Sequence, residues 1–132
     1  MNQVKSNQNL LTISLKNYKV FPTTYFMKQA KKLAKKYPLI KNDFANLAKQ
    51  LKKDPTTGQD SLGKDCYKIR MPINGKSSGQ SGAARVIIEV KVIDKRVYIL
   101  SVYDKSDKEA IFDDELKEAL KDRLKEYPDF CK

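Results

Sequence analysis

The side chains best placed for chemistry are basic and sit on three mostly apolar stretches in the second half of the chain. Cys66-Tyr67-Lys68-Ile69-Arg70-Met71 alternates, so a strand there turns Lys68 and Arg70 to one face and Tyr67, Ile69 and Met71 to the other. Ala84-Arg85-Val86-Ile87-Ile88-Glu89-Val90 sets a single arginine among mostly apolar neighbours. Val97 to Tyr103 runs straight into Asp104-Lys105. If the three stretches pair, Lys68, Arg70, Arg85 and Lys105 converge on one surface sized for a polyanion. The chemistry open to such a set is phosphate chemistry, in which cations hold the oxygens and offset developing charge. The chain contains no histidine, which excludes imidazole-based zinc sites and Ser-His or Cys-His nucleophile pairs.

The elements that position these residues are legible in outline. Ser14 to Phe21 reads as a first strand closed by Pro22, and Thr23 or Thr24 can cap the helix that follows. Phe26, Ala30, Leu33 and Tyr37 form its apolar stripe, with Lys28, Lys31, Lys32, Lys35 and Lys36 outside it. Pro38 breaks that helix and suits the start of a second, in which Ile40, Phe44, Leu47 and Leu51 repeat the pattern. Two amphipathic helices with almost no linker predict an antiparallel hairpin lying on a sheet.

Asp54-Pro55-Thr56-Thr57-Gly58 is a turn signal, with loop expected on to Lys64. Asn74 to Gly82 reads as a long polar hairpin loop, and Ile93-Asp94-Lys95 as a tighter turn. Ser106-Asp107-Lys108-Glu109 fits a capping box just after the last strand. Asp113 or Asp114 can cap a further helix carrying Leu116, Leu120, Leu124 and Tyr127 and ended by Pro128. Leu116, Ala119, Leu120 and Arg123 make it amphipathic, so it docks on the body or on a partner. The order is β-α-α-β-β-β-α, an α+β arrangement with an antiparallel sheet of about four strands. Residues 1–13 are expected to be a flexible extension and 14–132 a single domain.

Composition narrows the function classes. The 132 residues are 40% hydrophobic and 33% charged, with no apolar run near the ~20 residues of a membrane span. No signal-peptide core is visible, and two cysteines, Cys66 and Cys131, make neither a disulfide framework nor a metal quartet. A cytoplasmic protein with reduced thiols is expected, without metal or cofactor. Residues 1–103 carry 20 basic and 6 acidic side chains, whereas 104–132 carry 7 and 10. A polycationic body with an acidic tail steers toward phosphate backbones or an acidic protein partner.

From Leu62 to Glu109 the chain resembles the RelE/ParE superfamily of type II toxin–antitoxin toxins. The residues that carry this are Leu62-Gly63, then Cys66-Tyr67-Lys68-Ile69-Arg70, then Gly82-Ala83-Ala84-Arg85-Val86-Ile87, then Val97 to Ser106. The loop leading into Gly-Ala-Ala-Arg-Val is most similar to the RelE and HigB-like branch, and the hairpin from Phe26 to Leu51 matches the family's architecture. The resemblance implies a RelE-like fold and metal-independent cleavage of mRNA in the ribosomal A site. The RNA 2′-hydroxyl would attack the neighbouring phosphate, and an antitoxin would be the partner. The family's pair of basic strand residues falls on Lys68 and Arg70, its next-strand arginine on Arg85, and its basic residue after the last strand on Lys105.

On that reading Arg85 clamps phosphate, because a guanidinium matches two oxygens and stays charged. Lys68 and Lys105 are the proton-transfer candidates, since a lysine crowded by cations releases its proton more readily. Tyr103 can stack on a base or donate a proton. Lys64, Lys76, Lys31 and Lys35 are expected to bind RNA. Two departures stand out: the family's final-helix tyrosine meets Ile111-Phe112, and the HigB-like histidines are absent. Taken singly, Lys68 and Arg70 are ordinary exposed strand charges, Arg85 suits an ion pair with Glu89 or Asp104, and the lysine stripe is a solvated helix face. A ParE-like inhibitor of DNA gyrase and a non-enzymatic RNA-binding module are the alternatives.

Overall fold

A computed structural model describes residues 17–74, 83–108, 110, 111 and 113–129. The flexible extension expected over 1–13, the polar loop from residue 75 to 82, Lys76, Glu109 and Cys131 lie outside them. Among the described residues eight elements follow in order: β1 (Lys19–Pro22), α1 (Thr24–Lys36), α2 (Ile40–Lys53), β2 (Asp60–Gly63), β3 (Cys66–Met71), β4 (Ala84–Lys91), β5 (Arg96–Asp104) and α3 (Asp113–Glu126). The strands form one mixed sheet in the order β1-β5-β4-β3-β2.

Three details differ from the sequence expectation. The stretch before Lys64 is not all loop, because Asp60–Gly63 pairs antiparallel with β3 as a fifth strand. The first strand joins β5 in parallel, with Lys19 opposite Arg96 and Pro22 opposite Ile99. Ser106 begins no helix: its backbone N–H and hydroxyl both donate to Asp104 Oδ1, closing a turn, and the helix starts at Asp113.

The α1–α2 hairpin covers one face of the sheet. Phe26, Ile40, Leu47 and Leu51 pack there against Ile69, Met71, Val86, Ile88, Val90, Val97, Ile99 and Val102. The helices form where the stripes predict, with Thr23 Oγ1 accepting from the Phe26 N–H as N-cap. The other face carries Cys66, Ile87, Tyr98, Leu100 and Tyr103, covered by Leu116 and Ala119 of α3. The helix presents a slightly rotated stripe, for Leu124 is exposed and Arg123 takes the buried place.

A β-bulge decides which residues of β5 reach that second face. Ile87 pairs with Ser101 but Ile88 pairs with Ile99, so Leu100 is an extra residue on β5. Tyr98 and Tyr103 are five apart, and in an unbroken strand would point to opposite faces. With the bulge, both lie in the cluster under α3.

Candidate nucleic-acid interface: a basic row across the sheet

Register builds the site. Arg70 on β3 stands opposite Arg85 on β4, and Arg85 stands opposite Tyr103 on β5. Directly opposed residues share a face, so the three side chains form a row across the strands. Lys68, two residues before Arg70, shares that face and is half-buried. Lys105 follows the end of β5, where its N–H donates to the carbonyl of Ala83, two residues before Arg85.

Burial rises along the row. Arg70 is exposed, Arg85 half-buried, and Tyr103 only 7% exposed beneath the start of α3. Directly opposed like charges repel, and an anion lying between them would relieve that repulsion. Among the described residues Arg85 makes no ion pair; its guanidinium reaches only the Ala83 and Ala84 carbonyls, each at 3.4 Å. The expected alternatives for it are taken elsewhere. Glu89 is bound to Arg123, and Asp104 accepts from Ser106 and from the Tyr37 hydroxyl.

Tyr103 brings a proton donor. Among the described residues its buried hydroxyl lacks a partner in full hydrogen-bonding geometry, with the Ile111 amide nearby. Burial raises its pKa above the usual phenol value, outweighing the pull of Arg85 and of the Ile111 amide. The group therefore stays protonated at neutral pH. Lys108 lies over its ring, 5.5 Å from the centroid, and is itself paired with Glu115.

Other expected residues lie elsewhere. Lys64 sits in the β2–β3 turn with φ of 55°. Arg70 lies six residues further on, at most ~20 Å away at ~3.3 Å per residue. Lys31 and Lys35 are exposed on α1, on the hairpin side of the sheet. There they line a groove of about 740 Å³ whose floor includes Phe26, Ala30, Ala34 and Phe44. Cys66 is fully buried, and burial reinforced by Glu89 and Asp65 pushes its thiol up to about 12, so it is no nucleophile.

The residues that hold the site's cover were not singled out as a pair from sequence. Arg123 on α3 is 2% exposed and binds Glu89 on β4 through two bonds, Nε to Oε1 at 2.6 Å and a second nitrogen to Oε2 at 3.0 Å. It also donates to Asp129 at 2.8 Å and stacks over Tyr98, 4.4 Å from the ring centroid. The signal was present: Glu89 inside an apolar strand and Arg123 on an apolar helix stripe are opposite charges that must meet once buried. Further along, Glu126 accepts from the Thr24 N–H and hydroxyl, both at 2.8 Å, and the Tyr127 hydroxyl donates to the Pro22 carbonyl at 2.9 Å.

The sequence model for the RelE toxin of the RelE/RelB toxin–antitoxin system matches residues 18–131. The chain belongs to the RelE toxin family. A solved structure of the E. coli toxin RelE, a double arginine-to-alanine mutant in its free state, superposes with a TM-score of 0.54. At 19% identity it covers 80% of this chain and 96% of its own, which establishes the RelE fold. No curated protein matches the sequence. This RelE-family chain is thus a toxin of a toxin–antitoxin module, with an antitoxin as its partner. Among the described residues no helix is long and apolar enough to cross a membrane.

Proposed function

We propose that this toxin is a ribosome-dependent endoribonuclease that cuts mRNA with the RNA's own 2′-hydroxyl. The observation that carries the reading is the row of Arg70, Arg85 and Tyr103, two cations and a protonated phenol in register on one face. The 2′-oxygen attacks the adjacent phosphorus as the bond to the 5′-oxygen breaks, giving a 2′,3′-cyclic phosphate and a 5′-hydroxyl. Arg85, with Arg70 beside it, binds the non-bridging oxygens, whose charge grows in the phosphorane. The leaving 5′-oxygen needs a proton, and the attacking hydroxyl must lose one. Tyr103 suits the donor's part because its protonated hydroxyl stands in the row opposite Arg85. Lys68 and Lys105, at the open and covered ends of the row, share the remaining proton transfer.

The antitoxin has two surfaces open to it. One is the basic row itself. The other is the hairpin groove, an apolar floor with Lys28, Lys31, Lys35 and Lys41 around it. Ala30 and Ala34, one turn apart, allow close approach of a helix, and the lysines suit an acidic amphipathic segment. The same lysines would steer RNA in the free toxin, so an antitoxin seated there removes that attraction too.

The test is inducible expression with mapping of mRNA 5′ ends, comparing the wild type with Arg85→Ala. Codon-phased cuts should appear and fall ~10²–10³-fold in the variant. Intact mRNA with arrested replication would assign the gyrase-inhibitor reading instead. Neither cuts nor arrest would leave RNA binding alone.

A further inference from the structure

Strand β5 loses its β1 neighbour at Ile99, where the register ends opposite Pro22. The chain then turns through Thr23 into α1, and among the described residues no strand pairs with the next stretch of β5 on that side. A helix side chain fills the place. Gln29 Oε1 accepts from the Ser101 hydroxyl at 3.0 Å and from the Val102 N–H at 2.9 Å. Both donors are buried, Val102 at 1% exposure and Ser101 at 3%. They directly follow Leu100, the extra residue of the bulge.

A buried amide on a strand side that β1 has left needs a partner from outside the sheet, and the bulge directly before it leaves the local ladder disrupted. One-residue slippage would send every later residue of β5 to the other face. Tyr103 would then leave the row and Val102 would enter it. We propose that Gln29 is a positioning residue for the site: its carbonyl oxygen holds the bulge that delivers Tyr103 to Arg85 and Arg70. The inference rests on reading the row as the reaction centre, but the placement of Tyr103 can be measured without any reaction. Gln29 itself lies on α1, on the hairpin side of the sheet, and its hydrogen bonds run to Ser101 and Val102 rather than to the row.

The experiment uses the full chain with 13Cζ-labelled tyrosine, the Tyr103 signal being assigned by Tyr103→Phe. In the wild type Tyr103 titrates above the ordinary tyrosine range, because it is buried. Gln29→Met keeps the bulk but removes the acceptor. Its Tyr103 titration should move down toward the ordinary range, with loss of the Arg85–Tyr103 cross-strand backbone NOE. Gln29→Glu keeps an acceptor oxygen and should retain both signatures.

In cleavage assays Gln29→Met should lower kcat at least tenfold with KM within twofold, and Gln29→Glu should rescue it. The proposal is overturned if folded Gln29→Met leaves the titration and the NOE unchanged, or if Gln29→Glu disturbs them as much. Should Gln29→Met fail to fold, Ser101→Ala removes one of the two donors: a downward shift of Tyr103 supports the proposal, and no shift overturns it. Absence of cleavage by the wild type would sink the nuclease reading, while the titration would still decide the role of Gln29.

Discussion

The sheet has two covers, and they are fastened by different physics. On one side α1 and α2 lie on a broad apolar surface through Phe26, Ile40, Leu47 and Leu51. On the other, α3 rests on a smaller apolar cluster and is tied by the buried Arg123–Glu89 pair, with Glu126 and Tyr127 at its far end. Apolar contact yields gradually, because each lost methylene removes about 0.8 kcal/mol. A buried ion pair is nearer all-or-none, since removing one partner strands the other. The α3 side therefore depends more heavily on one buried pair, and it is the side that covers Tyr103.

The sharpest way to break that comparison is to strand a charge. Arg123→Met should cost ~3–5 kcal/mol in urea denaturation, because it strips the buried Glu89 of its two-bond partner and leaves it only Lys91, 3.5 Å away. Adding Glu89→Leu should recover most of the loss, whereas Ile40→Ala, at ~2–5 kcal/mol, has no such single rescuer. A double variant as unstable as Arg123→Met alone would show that α3 is held by packing after all.

The hairpin side is sharpened by its rim. Lys31→Glu with Lys35→Glu should slow antitoxin association about tenfold and flatten its salt dependence, with fold stability unchanged. Equal association rates for variant and wild type would remove the groove from the interface.

The smallest effect lies at the end of the α3 anchor. Arg123 holds the Asp129 carboxyl below its usual value. The folded pKa is depressed, so this contribution is present above the unfolded value of ~3.9 and is lost as pH falls through the folded value. Asp129 is largely exposed, so Asp129→Asn should only slightly flatten the stability curve below about pH 4. An unchanged acid limb would mean that Asp129 adds nothing to the anchor.

What was legible in the chain follows from periodicity. Ile40, Phe44, Leu47 and Leu51 announced α2, and the alternation around Lys68 and Arg70 announced both β3 and the face on which the basic row lies. β2 was missed because Asp60-Ser61-Leu62-Gly63 is short, polar and without an apolar period. The parallel pairing of β1 was invisible because strand direction is set by a partner far away in sequence. The bulge was hidden inside Val97-Tyr98-Ile99-Leu100, a run too uniformly apolar to show a change of phase. Arg123 was seen as part of an amphipathic face, but composition does not say that a charge there is buried until its partner is placed. The Ser106 signal misled because Asp104, two residues earlier, captures the hydroxyl that would have capped a helix.

The parallel contact between β1 and β5 also has a consequence in time. It joins residues 19–22 to 96–99, a long loop to close, and Thr23 completes it with its N–H and hydroxyl on the Ile99 carbonyl. Such non-local pairings form late, after local helices and hairpins. During synthesis, the α1–α2 hairpin can form early, but the edge that seats Gln29 against β5 cannot exist before residue 102 has been added. The fold of this toxin is thereby completed only as the far strand arrives.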